Sequence, residues 1–163
     1  MLYFGNIKEV RLTNEVLNVT KQRLNEAGKR KDESFVLWAG KFKTDFIFYV
    51  DTVIYPEQNA FRTSSGIGVY VSGDELFKIN KWLYDNKQVL ISQVHSHPTN
   101  AYHSDTDNNF PLVTEIGQFS IVVPYFARVS IALPNCAVYR LNSSNRWIEV
   151  NKSQISIIFK VVG

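Results

Sequence analysis

The residues able to do chemistry in this 163-residue chain crowd into one stretch, Gln93-Val94-His95-Ser96-His97-Pro98-Thr99-Asn100-Ala101-Tyr102-His103-Ser104-Asp105-Thr106-Asp107. All three histidines of the chain fall within it. His95 and His97 are two apart, so on extended backbone their side chains leave from the same face. Two imidazoles placed in this way can converge on one metal ion. The pattern His-x-His is weak by itself, because such pairs also occur on surface strands. Its position strengthens it: the pair ends an apolar strand expected at 89–94, a proline follows, and a carboxylate at an expected helix start comes ten residues later.

That carboxylate is Asp107. Ser104 and Asp107 have the i, i+3 spacing of a capping motif, in which Ser104 caps a helix and Asp107 answers its dipole. The structural role and a chemical one are compatible, since a helix start fixes a carboxylate on a rigid element. His95, His97 and Asp107 would give zinc three ligands and leave a fourth tetrahedral position for water. Asp105 and His103 are the rival third ligands. Asp105 should point away from Asp107, and His103 is expected on the rim. Water activated by a metal needs a proton acceptor. The strongest upstream candidate is Glu33, just before the apolar run at 35–40. Glu26 and Glu57 read as helix-surface and loop residues, and Glu75 is assigned to a helix cap.

The elements that must position these groups follow from periodicity. Residues 2–3 and 7–10 suggest an opening strand. Thr13 is placed to cap a helix reaching Ala27, with Val16, Leu17, Thr20, Leu24 and Ala27 on its buried stripe and Gly28 as its stop. Phe35-Val36-Leu37-Trp38-Ala39 reads as a central strand, and residues 45–56 as one long strand or a strand with a bulge. Residues 58–68 read as loop, with Gly66-Ile67-Gly68 as a turn. Ser72 and Glu75 have capping-box spacing, with Val71 and Leu76 as the staple. The helix they start buries Leu76, Ile79 and Leu83, widened by Phe77 and Trp82, and closes near Asn86 or Lys87. Further strands are expected at 119–123, 129–133, 137–141, 147–150 and 155–162. Trp38 and Trp82 are expected in the core, and Trp147 against the terminal sheet. The sum is an α+β (mixed α/β) protein with a single curved mixed sheet and about three helices. Residues 1–163 form a single domain, and no repeat or linker divides them.

Composition narrows the functional classes. The chain is 45% hydrophobic, enough for a core without disulfides or a structural metal. Lys plus Arg is 18 against 15 for Asp plus Glu, and the basic residues are spread out apart from Lys29-Arg30-Lys31, so nucleic acid is disfavoured. Cys136 is the single cysteine. It excludes an internal disulfide and suggests a cytoplasmic protein, with Cys136 itself expected as a small buried hydrophobe. No signal peptide or membrane span is expected, because the apolar stretch 155–162 is short and interrupted by Ser156 and Lys160. The chain lacks His-Glu-x-x-His, and one cysteine cannot supply Pro-Cys-x-x-Cys.

Taken together, Glu33, His95-Ser96-His97-Pro98 and Ser104-Asp105-Thr106-Asp107 resemble the JAMM metalloprotease motif of the JAB/MPN domain family. The resemblance covers most of the chain, with helices and strands in the family's order, and implies the cytidine-deaminase-like JAB/MPN architecture. It implies zinc bound by His95, His97 and Asp107, Glu33 as base and proton shuttle, and Ser104 steadying the oxyanion. Gly40, seven residues after Glu33, resembles the end of the family's Glu-to-Gly strand. Val36 stands where the family often has glycine, and six residues rather than seven separate His97 from Ser104; neither departure removes a catalytic residue. The activity implied is cleavage after the C-terminal glycine of ubiquitin or a ubiquitin-like protein. Its implied setting is a bacterial conjugation or antiphage system with ubiquitin-activating-like and conjugating-like partners. The substrate slot is expected between residues 58–68 and 99–103. Two other readings share parts of the pattern: a metal-free MPN scaffold, which generally loses the ligands present here, and the RadC-like branch, which usually carries a DNA-binding module for which this chain has no room.

Overall fold

The most apolar run of the chain lies near the middle of its sheet, where both faces are covered. In the computed structural model, which describes residues 2–64, 66–102 and 112–163, ten strands are found among those residues. They are β1 (Glu9–Thr13), β2 (Phe35–Phe42), β3 (Ile47–Ile54), β4 (Asn59–Thr63), β5 (Gly66–Tyr70), β6 (Val89–Ser96), β7 (Phe119–Val123), β8 (Ala137–Leu141), β9 (Trp147–Glu149) and β10 (Phe159–Val162). Eight of them form one mixed sheet in the order β10-β1-β3-β2-β6-β7-β8-β9, and β4 and β5 pair as a separate hairpin. The described α-helices are α1 (Asn14–Lys29), α2 (Gly73–Asp85) and α3 (Lys152–Ile158). The protein is thus an α+β fold with a mixed sheet, as its sequence pattern indicates.

β2 is antiparallel to both β3 and β6, and its register slips once against each. Asp51 of β3 is skipped between the pairs Ala39–Thr52 and Gly40–Val50, and Ile91 of β6 between Trp38–Ser92 and Ala39–Leu90. These bulges sharpen the local twist and curve the sheet. They also account for the long apolar stretch at 45–56, which is one strand with an extra residue.

One face of the sheet packs on α1. Thr13 Oγ1 accepts from Val16 N at 3.3 Å, the expected cap. The buried residues of α1 are Val16, Leu17, Thr20, Leu24 and Ala27, the stripe its 3.6-residue period marks out. Thr20 Oγ1 accepts from the fully buried Trp38 indole at 2.9 Å and donates to Val16 O at 2.7 Å. Gly28 does not end the helix. It lies against Phe126, where a Cβ would collide with that residue, and the chain turns only at Lys31, which adopts φ 61°. The other face carries α2, whose Ile79 and Leu83 pack on Leu37 and Ala39.

Several expectations give way to tertiary context. Residues 58–68 include a β-hairpin instead of a loop, and Gly66-Ile67-Gly68 belong to β5. Residues 129–133 form no strand; they lead into a 3-10 turn, Leu133–Asn135. The apolar stretch 155–162 is split between α3 and β10, because Ile155 turns into the core while Phe159 starts a new edge beside β1. The opening residues form a 3-10 turn, Phe4–Asn6, and pairing begins at Glu9. Phe77 and Trp82 do not widen the buried stripe of α2; they are 71% and 39% exposed. Glu75 N does donate to Ser72 Oγ at 3.1 Å, but the Glu75 carboxylate accepts from Glu57 N at 2.7 Å. The hairpin approach is thereby tied to the start of α2.

The N-terminal turn is held by Arg140 of β8. Its guanidinium donates to Phe4 O and Ile7 O at 2.8 Å and to Gly117 O at 3.0 Å, and sits 4.8 Å from the Phe119 ring centre. Burial pulls its pKa below the usual arginine value, with the nearby Tyr3 opposing. Gly117 adopts φ 97°, and a Cβ there would strike the Phe4–Gly5 backbone. Replacing Arg140 with Met removes this donor from the Ile7 and Gly117 carbonyls and leaves Phe4 O with Ile7 N alone. That should cost about 3 kcal/mol, read as a fall in Tm of roughly 6–12 °C for a chain this size.

Candidate metal centre

The site begins with the register between β2 and β6. Phe35 is opposite His95, and the ladder continues past the end of β2, where Ser96 N donates to Ser34 O at 3.2 Å. Ser34 N donates to the fully buried Ser96 Oγ, also at 3.2 Å. Glu33 immediately precedes this Ser34–Ser96 link, and His97 immediately follows it. The residue between the two histidines therefore stitches their strand to the strand mouth that carries Glu33. Glu33 is 8% exposed, His95 1% and His97 2%. Charged and ionisable groups are seldom so deeply buried without a specific role.

The two imidazoles are neighbours, with ring centres 5.2 Å apart and planes at 59°. His95 also packs on the Phe35 ring at 5.0 Å, and His97 meets the Tyr102 ring edge-on at 4.6 Å. Two imidazoles bound to one tetrahedral zinc through Zn–N bonds of about 2.0–2.1 Å have ring centres about 5 Å apart. The observed spacing fits that donor pair. Among the described residues, no three His, Cys, Asp or Glu side chains group closely enough to hold a metal. Ser104 and Asp107, together with the rivals His103 and Asp105, lie outside those residues.

The backbone around the histidines is fastened on both sides. His97 N donates to Val123 O at 2.9 Å, and His97 O accepts from Phe126 N at 2.8 Å. Thr99 O accepts from Tyr125 N at 2.8 Å. Tyr125, Phe126 and Ala127 all adopt left-handed φ, near 54°, 52° and 54°. Each such residue costs about 1–2 kcal/mol relative to the right-handed form. The turn is held by His97 and Thr99 on one side and by α1 on the other, where Asn25 Nδ2 donates to Phe126 O at 3.3 Å. Strain so stored beside a buried histidine is typical of functional sites.

The hairpin is pinned to the same mouth. Gln58 takes the place of a strand beside Phe35: its Oε1 accepts from Phe35 N at 2.6 Å, and its Nε2 donates to Phe35 O at 3.0 Å. Arg62 of β4 donates to Lys31 O at 3.0 Å and pairs with Asp32 at 3.3 Å, one residue before Glu33. Gln58 and Arg62 were not identified from the sequence. A polar side chain that mimics a ladder partner leaves no periodic trace, and Arg62 reads as one more surface cation. Cys136 does agree with its expectation. It is buried, and burial pushes its thiol up to about 12, so it stays protonated and is no nucleophile at neutral pH.

Comparison with known proteins agrees with this architecture. Solution structures of a Desulfitobacterium hafniense protein (TM-score 0.62, 18% identity, 94% of each chain) and a Salinibacter ruber protein (TM-score 0.59, 14% identity, 92% of this chain and 91% of the other) share its fold. At those identities the likeness is one of fold alone. No family model matches the chain. A relative in sequence is the "Probable metalloprotease y4jG" of Sinorhizobium fredii, 37% identical over 145 residues and covering 89% of each chain. The chain belongs to the family of that probable metalloprotease. No helix among the described residues is long and apolar enough to cross a membrane.

Proposed function

We propose that the protein is a zinc-dependent peptidase or isopeptidase of the JAB/MPN type, a cytoplasmic single domain. The observation that carries the reading is the buried His95–His97 pair, with the buried Glu33 two residues before Phe35, the ladder partner of His95. The metalloprotease relative supports the same class. In this reading His95, His97 and Asp107 hold the metal, which when bound polarises the scissile carbonyl and makes water a competent nucleophile. The Glu33 carboxylate takes the proton that water loses as its oxygen bonds to the carbonyl carbon. As the C–N bond breaks, Glu33 delivers that proton to the departing amine. Ser104 donates a hydrogen bond to the tetrahedral oxyanion. The burial of Glu33 keeps bulk water from competing for this transfer.

The substrate class is an extended tail ending in the C-terminal glycine of ubiquitin or a ubiquitin-like modifier, joined to a lysine amine or to a following peptide. The β4–β5 hairpin, tied through Gln58 and Arg62 to Phe35 and Asp32, and the rim beginning at Thr99 are where this reading puts a narrow slot for such a tail. Modifier-activating and modifier-conjugating proteins of a bacterial or antiphage system are the fitting partners.

The test is cleavage of ubiquitin-like precursors, fused through their terminal glycine to a reporter, by the zinc-loaded protein. Cleavage at the glycine that stops with chelator and returns with zinc supports the reading. Zinc binding with no cleavage of any such fusion removes the modifier from it. The ligand assignment has its own check: Asp107→Ala should lose metal, whereas loss in Asp105→Ala instead would overturn the choice of Asp107.

A further inference from the structure

His95 and His97 are held in different ways. His95 lies inside the sheet, paired with Phe35 of β2 on one side and Val122 of β7 on the other. His97 lies one residue past the end of β6 and is followed by Pro98, which has no N–H to continue a ladder. Its backbone is gripped instead by the chain that leaves β7. His97 N donates to Val123 O at 2.9 Å, His97 O accepts from Phe126 N at 2.8 Å, and Thr99 O accepts from Tyr125 N at 2.8 Å.

The grip depends on an unusual turn. The first N–H groups of a helical turn point the same way and have no partner within it. In the turn at Tyr125–Ala127 these belong to Tyr125 and Phe126, and both reach across to the His97–Thr99 segment. All three residues of the turn are left-handed and none is glycine, a conformation that persists only where its surroundings enforce it. Helix α1 supplies that enforcement. Asn25 Nδ2 donates to Phe126 O at 3.3 Å, and a β-carbon at Gly28 would overlap the Phe126 side chain. Glycine inside a helix is destabilising relative to alanine, so its presence here fits a need for that close approach.

We propose that Asn25 and Gly28 are positioning residues for the metal centre: through the left-handed turn at 125–127 they fix the backbone of His97 and so aim its imidazole at the ion. The inference rests on the reading above that His97 is a metal ligand. With both backbone polar groups of His97 committed, only its two side-chain torsions are left to settle, and the Tyr102 ring against it narrows those. A ligand pre-organised in this way loses less entropy when the metal binds, and affinity rises accordingly.

The experiment measures Zn²⁺ affinity by chelator competition, beside Tm of the metal-free protein, for wild type, Gly28→Ala, Asn25→Ala and Thr20→Val. Gly28→Ala, which forces Phe126 away from α1, should weaken zinc binding at least about tenfold. Asn25→Ala removes a single hydrogen bond and should weaken it about threefold; it keeps the test decisive if Gly28→Ala does not fold. Thr20→Val is a control on the same helix, about 12 Å before Gly28, and breaks the bond to Trp38. It should lower the metal-free Tm and leave zinc affinity at wild-type level. Wild-type affinity in both Gly28→Ala and Asn25→Ala, whatever their Tm, overturns the proposal. An equal loss of affinity in Thr20→Val overturns it too, because the effect is then one of general stability. Wild type that takes up no zinc overturns the metal reading itself, an outcome separate from the failure of the α1 variants.

Discussion

Glu33→Gln should lower turnover by roughly 10²–10⁴-fold while zinc content and fold stay as in wild type. The substitution keeps size and some hydrogen bonding, so it isolates the loss of a proton acceptor. The backbone around residue 33 is fixed independently of its side chain, by the reciprocal Ser34–Ser96 bonds and by Gln58 on Phe35. A structural collapse is therefore not expected, and the change should appear in kcat with KM nearly constant. Wild-type turnover in Glu33→Gln would end its assignment as base, and Glu57 or Glu75 would be the next residues to test.

His97→Ala should abolish tight zinc binding and, with it, the stability that zinc confers. Metal at a thousandfold excess over its Kd stabilises the folded state by about 4 kcal/mol, equivalent to a Tm rise of roughly 8–16 °C. The variant should show no such rise, and its Tm should be the same with zinc as with chelator. Wild type in chelator should lose the rise too, which separates the metal contribution from the packing lost with the ring against Tyr102. A variant that keeps the full zinc-induced rise would show that His97 is not a ligand.

How far the sequence foretold this molecule depends on what kind of force shaped each part. Periodic burial was legible. The stripe on α1, the cap at Thr13, the strand at β2 and the alternation that brings His95 and His97 to one face all follow from local spacing. Glu33 was singled out by its place just before an apolar strand and then supported by family resemblance; the pairing of β2 with β6 across some sixty residues, which sets that strand beside the histidines, left no trace in local spacing. Tertiary context decided the remainder. The β4–β5 hairpin hides in a polar stretch because its strands pair with one another and cover little core. The helix at α3 was masked by its β-branched residues Ile155, Ile157 and Ile158; burial of Ile155, with Ile158 partly buried beside it, outweighs their intrinsic preference, while Ile157 faces outward. Phe77 and Trp82 fit a helical stripe on paper, but α2 presents only one narrow face to the sheet. Gln58 gave no signal at all, since a carboxamide that replaces ladder bonds looks in sequence like any surface glutamine.

The metal centre is tested most directly by the metal content of the purified protein, by elemental analysis beside His97→Ala and Asp107→Ala. About one zinc per chain is expected in wild type, lost in both variants. A wild type without metal, even after incubation with zinc, would contradict it and leave the fold as a metal-free scaffold.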